Sequence, residues 1–345
     1  MQWLSGPAGW CVLSAILFGA STPLCKPLLE TMGPFTLGAL LYLGAGGVSV
    51  FTVFRRAETT PRAGDKWRVM GAVCFGGILG PVLLLIGLRT GDAGSASLLL
   101  NLESVATALL GWLFFKEHIS GRGWLATGLV FGAGVMLALP VESAQFSAAL
   151  WIGAACLCWG FDNHLTATIV EFSPAQTTCI KGLGAGLVNG LIAYGIGEPV
   201  MHLSAQSAMV ALCIGAVCYG GSIILYVASA QQLGATHAQV IFSSAPYWGL
   251  LLAWFLLDES LGAAHLGAVV FMVVALWLLR RDQHGHYHVH EAESHSHWHR
   301  HDPDHHHHVH RPGMWSVLGW HYHGHDHEAV AHTHEHRSDI HHRHH

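Results

Sequence analysis

The segments Val69–Leu88 and Ala93–Phe115 run apolar on every face for about twenty residues each and hold one charged residue between them, Glu103. A core helix of a soluble protein keeps a polar face, whereas about 20 uninterrupted apolar residues are what a helix needs to cross about 30 Å of hydrocarbon. The whole chain follows suit: 52% of its 345 residues are hydrophobic and 11% are charged, against about a quarter charged in a soluble domain. The lipid bilayer is therefore the first expected partner. A net charge of −5 excludes nucleic acid, which is held by a basic surface. The sequence contains neither a nucleophile–base arrangement nor a Gly-x-x-x-x-Gly-Lys-Ser/Thr phosphate loop. An enzyme is not expected, and ATP does not drive this chain by itself. The cysteines, among them Cys74, Cys156, Cys158, Cys213 and Cys218, are scattered through apolar stretches without a Cys-x-x-Cys pair. They read as small buried hydrophobes, not as disulfides or zinc ligands.

Ten apolar segments are expected to span: 9–29, 34–54, 67–88, 93–115, 122–140, 148–170, 174–197, 207–230, 236–257 and 261–280. The N-terminus, MQWLSGPAGW, lacks a basic leader, so the first run reads as an uncleaved span. Orientation comes from the basic loop carrying Arg55, Arg56, Arg62, Lys66 and Arg68. Basic residues stay on the cytoplasmic side. With that loop inside, Lys116, Arg122, Arg280 and Arg281 are inside as well, and both termini are cytoplasmic. The expected location is the inner (cell) membrane. The expected domains are 1–140, 148–282 and a tail at 283–345.

The first two domains look alike. Gly71-Ala-Val-Cys-Phe-Gly-Gly77 recurs as Gly215-Ala-Val-Cys-Tyr-Gly-Gly221, and Leu43-Gly-Ala-Gly46 recurs as Leu183-Gly-Ala-Gly186. Trp10, Gly19, Leu24 and Glu30 match Trp151, Gly160, Leu165 and Glu171, and Trp112 and Glu117 match Trp254 and Glu259. Chance similarity between Gly/Ala/Leu-rich helices would not keep these matches in order. Five spans per unit, an odd number, turns the second unit upside down, which is the inverted-repeat plan of secondary transporters. The expected fold class is an all-α membrane protein of ten helices in two inverted five-helix repeats, with a disordered tail.

The stretch Ser95-Ala-Ser-Leu-Leu-Leu-Asn-Leu-Glu103 through Gly111-Trp-Leu-Phe-Phe-Lys-Glu117 resembles the fourth helix of EamA-type members of the drug/metabolite transporter superfamily. The glutamate usual after that helix is matched by Glu117 and, in the second half, by Glu259; the usual proline is matched by Pro246, whereas the first half carries Ser104. Cys158-Trp-Gly-Phe-Asp-Asn-His-Leu-Thr166 and Ile180-Lys-Gly182 add to the likeness. The resemblance covers residues 1–282 and implies a ten-helix fold that transports a small solute, without naming one.

Ionisable groups at membrane depth are costly and normally face a cavity or a partner. Glu103 suits either a helix-pairing role or a substrate or proton site. Lys181 is the nearest to a central cation, either contacting substrate or neutralising Glu103 or Asp162. Asp162, Asn163 and His164 are consecutive, about 100° apart around a helix, so at least one of them must leave the cavity for a helix interface or snorkel. Asn101 suits a hydrogen bond to a neighbouring helix. Lys26, between Pro23 and Pro27, either marks a bent first span with freed carbonyls or snorkels to the outer surface. Gly182, Gly186 and Gly190, Gly76 and Gly80, and Gly128 and Gly132 are spaced for close helix packing.

The tail holds 24 of the 29 histidines. Seventeen of them run as His284, His286, His288 and His290, then His295, His297, His299 and His301, then His305, His306, His307, His308 and His310, and then His321, His323, His325 and His327. Alternating imidazoles on a flexible segment suit nickel, cobalt, zinc or copper. No cofactor is required by the core. Two functions compete: a transporter of a small organic solute with the tail as accessory, and a transition-metal transporter or efflux protein whose tail senses or hands over the ion. A second copy of the chain is a further candidate partner.

Overall fold

The structure, a computed structural model, describes residues 6–53, 63–114, 119–138, 143–167, 169, 174–198, 203–233, 235–280, 284–290, 293–300, 320–327 and 330–336. Among the described residues up to 280 every regular element is helical. That follows from the apolar runs: without water to bond them, backbone groups must be satisfied within the segment, and a helix does so. The first half holds α1 (Pro7–Cys25) with a 3-10 turn (Pro27–Glu30), α2 (Pro34–Val53), α3 (Ala63–Ala72), α4 (Gly80–Thr90), α5 (Ala93–Leu99), α6 (Leu102–Phe114) and α7 (Gly121–Ala138). The second half holds α8 (Ser143–Ala167), α9 (Pro174–Gly195), α10 (Ala205–Ile214), α11 (Ser222–Leu233), α12 (Ala235–Phe242), α13 (Ala245–Leu257) and α14 (Ala263–Arg280).

Among the described residues six helical segments are long and apolar enough to cross a membrane: Pro7–Glu30, Lys66–Thr90, Ala93–Phe114, Gly121–Ala138, Ala144–Thr166 and Ala205–Ala230. Pro34–Val50, Ala245–Leu257 and Ala263–Leu278 are apolar but shorter. The surface agrees with a lipid setting. Ala253 is fully buried while Phe255, two residues on, is 74% exposed, and Leu191 and Tyr194 are exposed beside buried Ala193. At these positions small residues face neighbouring helices and large apolar ones face outward, the arrangement that lets helices approach closely in a solvent as apolar as leucine.

Both copies of the repeated Gly-rich motif wind as π-helix, over Val73–Leu79 between α3 and α4 and over Gly215–Gly221 between α10 and α11. A second pair of irregularities also recurs. The helix Ala93–Phe114 is interrupted between Leu99 and Leu102, and Ala235–Leu257 is interrupted between Phe242 and Ala245. Polar side chains satisfy carbonyls near these breaks: Asn101 Nδ2 and Ser104 Oγ donate to the carbonyls of Leu98 and Asn101, and Ser243 and Ser244 donate to those of Gln239 and Ile241. Around Lys26 the sequence allows either a first span bent at Pro23 and Pro27 or a lysine that snorkels to the outer surface. There α1 runs through Pro23 to Cys25 and passes into the 3-10 turn.

The copies of Leu-Gly-Ala-Gly pack against each other where α2 meets α9. A Cβ on Gly46 would meet Leu183 N at 2.8 Å, and a Cβ on Gly186 would meet Leu43 N at 3.0 Å, a reciprocal contact. Gly182 lies equally close to Gly46. Of the other glycine pairs, Gly76 and Gly80 face side chains of α8, whereas a Cβ on Gly128 would meet nothing within 4 Å. That last pair is spaced for helix packing but makes no close approach, because spacing fixes a common face and not which neighbour covers it.

In the tail the described backbone forms β1 (His284–His290), β2 (Glu293–Arg300), β3 (Trp320–His327) and β4 (Val330–His336). β1 pairs antiparallel with β4, and β2 with β3. A tail without fixed structure is the sequence expectation. The described backbone differs from it because the two-residue His-x-His period also suits an extended strand, and pairing satisfies the backbone without a core. The expected ligands His301, His305, His306, His307, His308 and His310 lie outside the described residues, as do Arg55, Arg56, Arg62 and Glu117.

Candidate transport site

A cavity of about 420 Å3 lies between the two halves. Trp159, Asp162, Asn163 and Thr166 reach it from α8 at i, i+3, i+4 and i+7, one face of a helix. Thr177, Thr178, Lys181 and Gly182 reach it from α9 on the same spacing logic. Leu100 and Glu103 enter at the interruption between α5 and α6, and Tyr42 and Ala45 come from α2. The remaining wall is aromatic and aliphatic: Phe18 from α1, Tyr219, Ile223 and Tyr226 from the second π-helix and α11, and Phe242 at the end of α12.

Lys181 and Asp162 form an ion pair through Nζ and Oδ2. The Asp162 carboxylate is 7% exposed and takes a further hydrogen bond from Thr166 Oγ1 at 3.0 Å. It lies over Gly76, where a Cβ would fall 2.1 Å from Oδ2. The Gly76 carbonyl, within the first π-helix, accepts from Tyr42 Oη at 2.7 Å and Trp159 Nε1 at 3.1 Å. Asn163 Nδ2 donates to Glu103 Oε1 at 2.8 Å and to Thr107 Oγ1 at 3.2 Å. Among the described residues Glu103 has no cationic partner in salt-bridge range, since the Lys181 ammonium is held by Asp162. Among the described residues the lining thus brings together two carboxylates, one ammonium and an amide.

Of the sequence candidates, Glu103, Asp162, Asn163 and Lys181 line the cavity. His164 does not: it is 6% exposed, and its Nε2 donates to the Thr107 carbonyl at 3.0 Å, which ties α8 to α6. Asn101 bonds the Leu98 carbonyl and Met272 Sδ of α14. Lys26 lies at the far end of the bundle, where Nζ donates to the carbonyls of Leu88 and Gly91, both at 2.7 Å. Further contacts gather at that end. Glu259 accepts from the amides of Ala93 and Gly94 at 2.7 Å, Gln145 bonds Asp92, and Glu198 accepts from Thr36 N at 2.8 Å and Thr36 Oγ1 at 2.6 Å. Acidic side chains on helix N-termini and an ammonium on helix-end carbonyls are the favourable pairings of the helix dipole. The aromatic lining carries no charge to mark it in the sequence, because Tyr and Phe are ordinary residues of apolar helices. Its legible trace is the spacing of Tyr219, Ile223 and Tyr226 at i, i+4 and i+7.

The profile of the EamA-like transporter family matches twice, over residues 7–139 and 146–281. The chain belongs to the EamA-like transporter family. The double match runs over both halves, and among the described residues each half holds a π-helix and an interrupted helix. An uncharacterized transporter of Methanothermobacter thermautotrophicus is 24% identical over 292 residues, covering 78% of this chain and 84% of the relative. One from Synechocystis sp. is 25% identical over 298 residues, covering 77% and 87%. A solved crystal structure superposes with a TM-score of 0.58 at 16% identity, covering 79% of this chain and 98% of that one, and so shares its fold. As an EamA-family member with apolar helices, the chain is a multi-pass membrane protein and, with its relatives, a transporter.

Proposed function

We propose that this chain is a secondary transporter that moves a small solute through the cavity between its halves, by ten spans in two inverted repeats. What carries the reading is the convergence of Glu103 and the Asp162–Lys181 pair on one cavity at membrane depth. Intramembrane charge is costly unless it serves a path or a partner. Interruptions at corresponding places of two repeats are the usual surroundings of a transporter binding site. The reciprocal packing of the two Leu-Gly-Ala-Gly copies supports inversion, since a local two-fold relation makes residue i meet j and j meet i. A metal substrate fits less well: Lys181 already occupies Asp162, and His164 Nε2 is committed to the Thr107 carbonyl.

Glu103→Gln keeps the shape and the bond to Asn163 but removes the charge. Solute flux in proteoliposomes is expected to fall at least tenfold while the protein still inserts and purifies as a single species. Unchanged flux would reduce Glu103 to a packing residue.

With the basic loop on the cytoplasmic side of the inner membrane, the α8–α9 end of the cavity faces the cytoplasm and both termini lie inside. A reporter fused after His345 that works only outside the cytoplasm is then silent; a signal from it would reverse the orientation.

The tail is proposed to bind several nickel, cobalt, zinc or copper ions through His284–His290, His295–His301, His305–His310 and His321–His327. Binding requires neutral imidazole, so affinity falls steeply as pH drops through about 6. Metal titration of the full chain against one ending at Arg281 tests this. Equal stoichiometry in the two would remove the tail from any metal role.

A further inference from the structure

Given the transport reading, we infer that the solute is a small organic cation, an amine carried on an apolar or aromatic body. Three features of the cavity point to one chemistry. Among the described residues its lining holds two carboxylates and one ammonium, so with the Asp162–Lys181 pair internally matched the surplus charge there is the carboxylate of Glu103. That carboxylate accepts from an amide and makes no ion pair among the described residues, which leaves it the natural counter-ion of a positive guest.

The wall supplies the second feature. Tyr42, Tyr219, Phe18, Phe242 and Tyr226 form an unbroken chain of rings, with successive centroids 6.2, 5.8, 5.4 and 4.9 Å apart. Ring faces attract a desolvated cation and repel an anion, while they welcome apolar bodies of either kind. The third is size: about 420 Å3 suits a compact molecule rather than a bare ion or a large drug. A transition-metal ion would leave the ring wall without a purpose, and an anion would meet both Glu103 and the rings as repulsion.

Four compounds with nearly the same body separate these cases: phenethylamine, protonated at neutral pH; phenylalanine, a zwitterion; 3-phenylpropanoate, an anion; and 2-phenylethanol, uncharged. Binding of each to the purified full-length protein is measured by calorimetry at pH 7.5, and uptake of each into proteoliposomes is followed in parallel. Phenethylamine is expected to bind at least tenfold more tightly than the other three, and Glu103→Gln is expected to erase that margin against phenylethanol. Tyr219→Leu gives a second handle, lowering affinity for the amine more than for the alcohol.

Preference for phenylalanine would mean that the Asp162–Lys181 pair opens to hold a zwitterion, and would overturn the cation assignment while leaving transport intact. Preference for the anion, or an amine preference indifferent to Glu103, overturns it too. Amine binding with the expected ranking but without movement of any probe into vesicles would uphold the ligand class and remove the transport reading instead.

Discussion

Gly76→Ala is expected to reduce transport at least tenfold, whereas Gly47→Ala leaves it within twofold. Both substitutions add one methyl to a glycine within a helix and should gain slightly in helix propensity. Their surroundings differ. The Gly47 methyl would meet nothing within 4 Å, whereas the Gly76 methyl would sit 2.1 Å from the Asp162 carboxylate. Gly76 is also the residue whose carbonyl collects Tyr42 and Trp159. Displacing Asp162 therefore shifts Lys181 and disturbs two further lining side chains in one step. Overpacking of this kind costs about 1–3 kcal/mol, enough to rearrange a site without unfolding the bundle. Flux and thermal melting of the two variants side by side check this. Equal flux in both would mean that Asp162 is not held where the structure places it.

Lys181→Met is expected to be the most destabilising single change in the cavity. It leaves the Asp162 carboxylate, 7% exposed, with the Thr166 hydroxyl but without a counter-charge. An uncompensated buried charge costs about 3–5 kcal/mol. Asp162→Asn combined with Lys181→Met removes the stranded charge and should recover most of the loss in melting temperature in detergent. It does not recover flux if the pair takes part in transport. Double-mutant coupling of about 2 kcal/mol or more is expected for two side chains in direct contact. Strictly additive effects would show that the pair contributes nothing beyond its separate packing, and the lysine would then need another role.

The bilayer setting, the duplication and most of the charged lining were legible in residue order, and for a local reason. An apolar run that must satisfy its own backbone becomes a helix whatever surrounds it. A recurring motif brings its local geometry with it, as the π-helices at Val73–Leu79 and Gly215–Gly221 demonstrate. Glu103, Asp162, Asn163 and Lys181 stood out because charge and amides are rare at such depth. Residue order could also state that the three consecutive polar residues of α8 would divide between cavity and interface, but not which one would leave.

That choice belongs to the tertiary structure. On helices apolar all round, sequence carries little record of which face points inward, and about 100° of rotation per residue separates a cavity ligand from a structural bond. Packing of α8 against α6 sends His164 to the Thr107 carbonyl and leaves Asp162 and Asn163 in the cavity. Packing also takes Asn101 to Met272, carries Lys26 to the carbonyls at the end of α4, and aligns five rings from α1, α2, α11, α12 and the second π-helix into one wall. The sequence by itself determined that helices would cross a membrane and that polar groups among them would need partners. The tertiary structure alone decided which partners they have, because rotation and depth of each helix are set by its neighbours and not by its own residues.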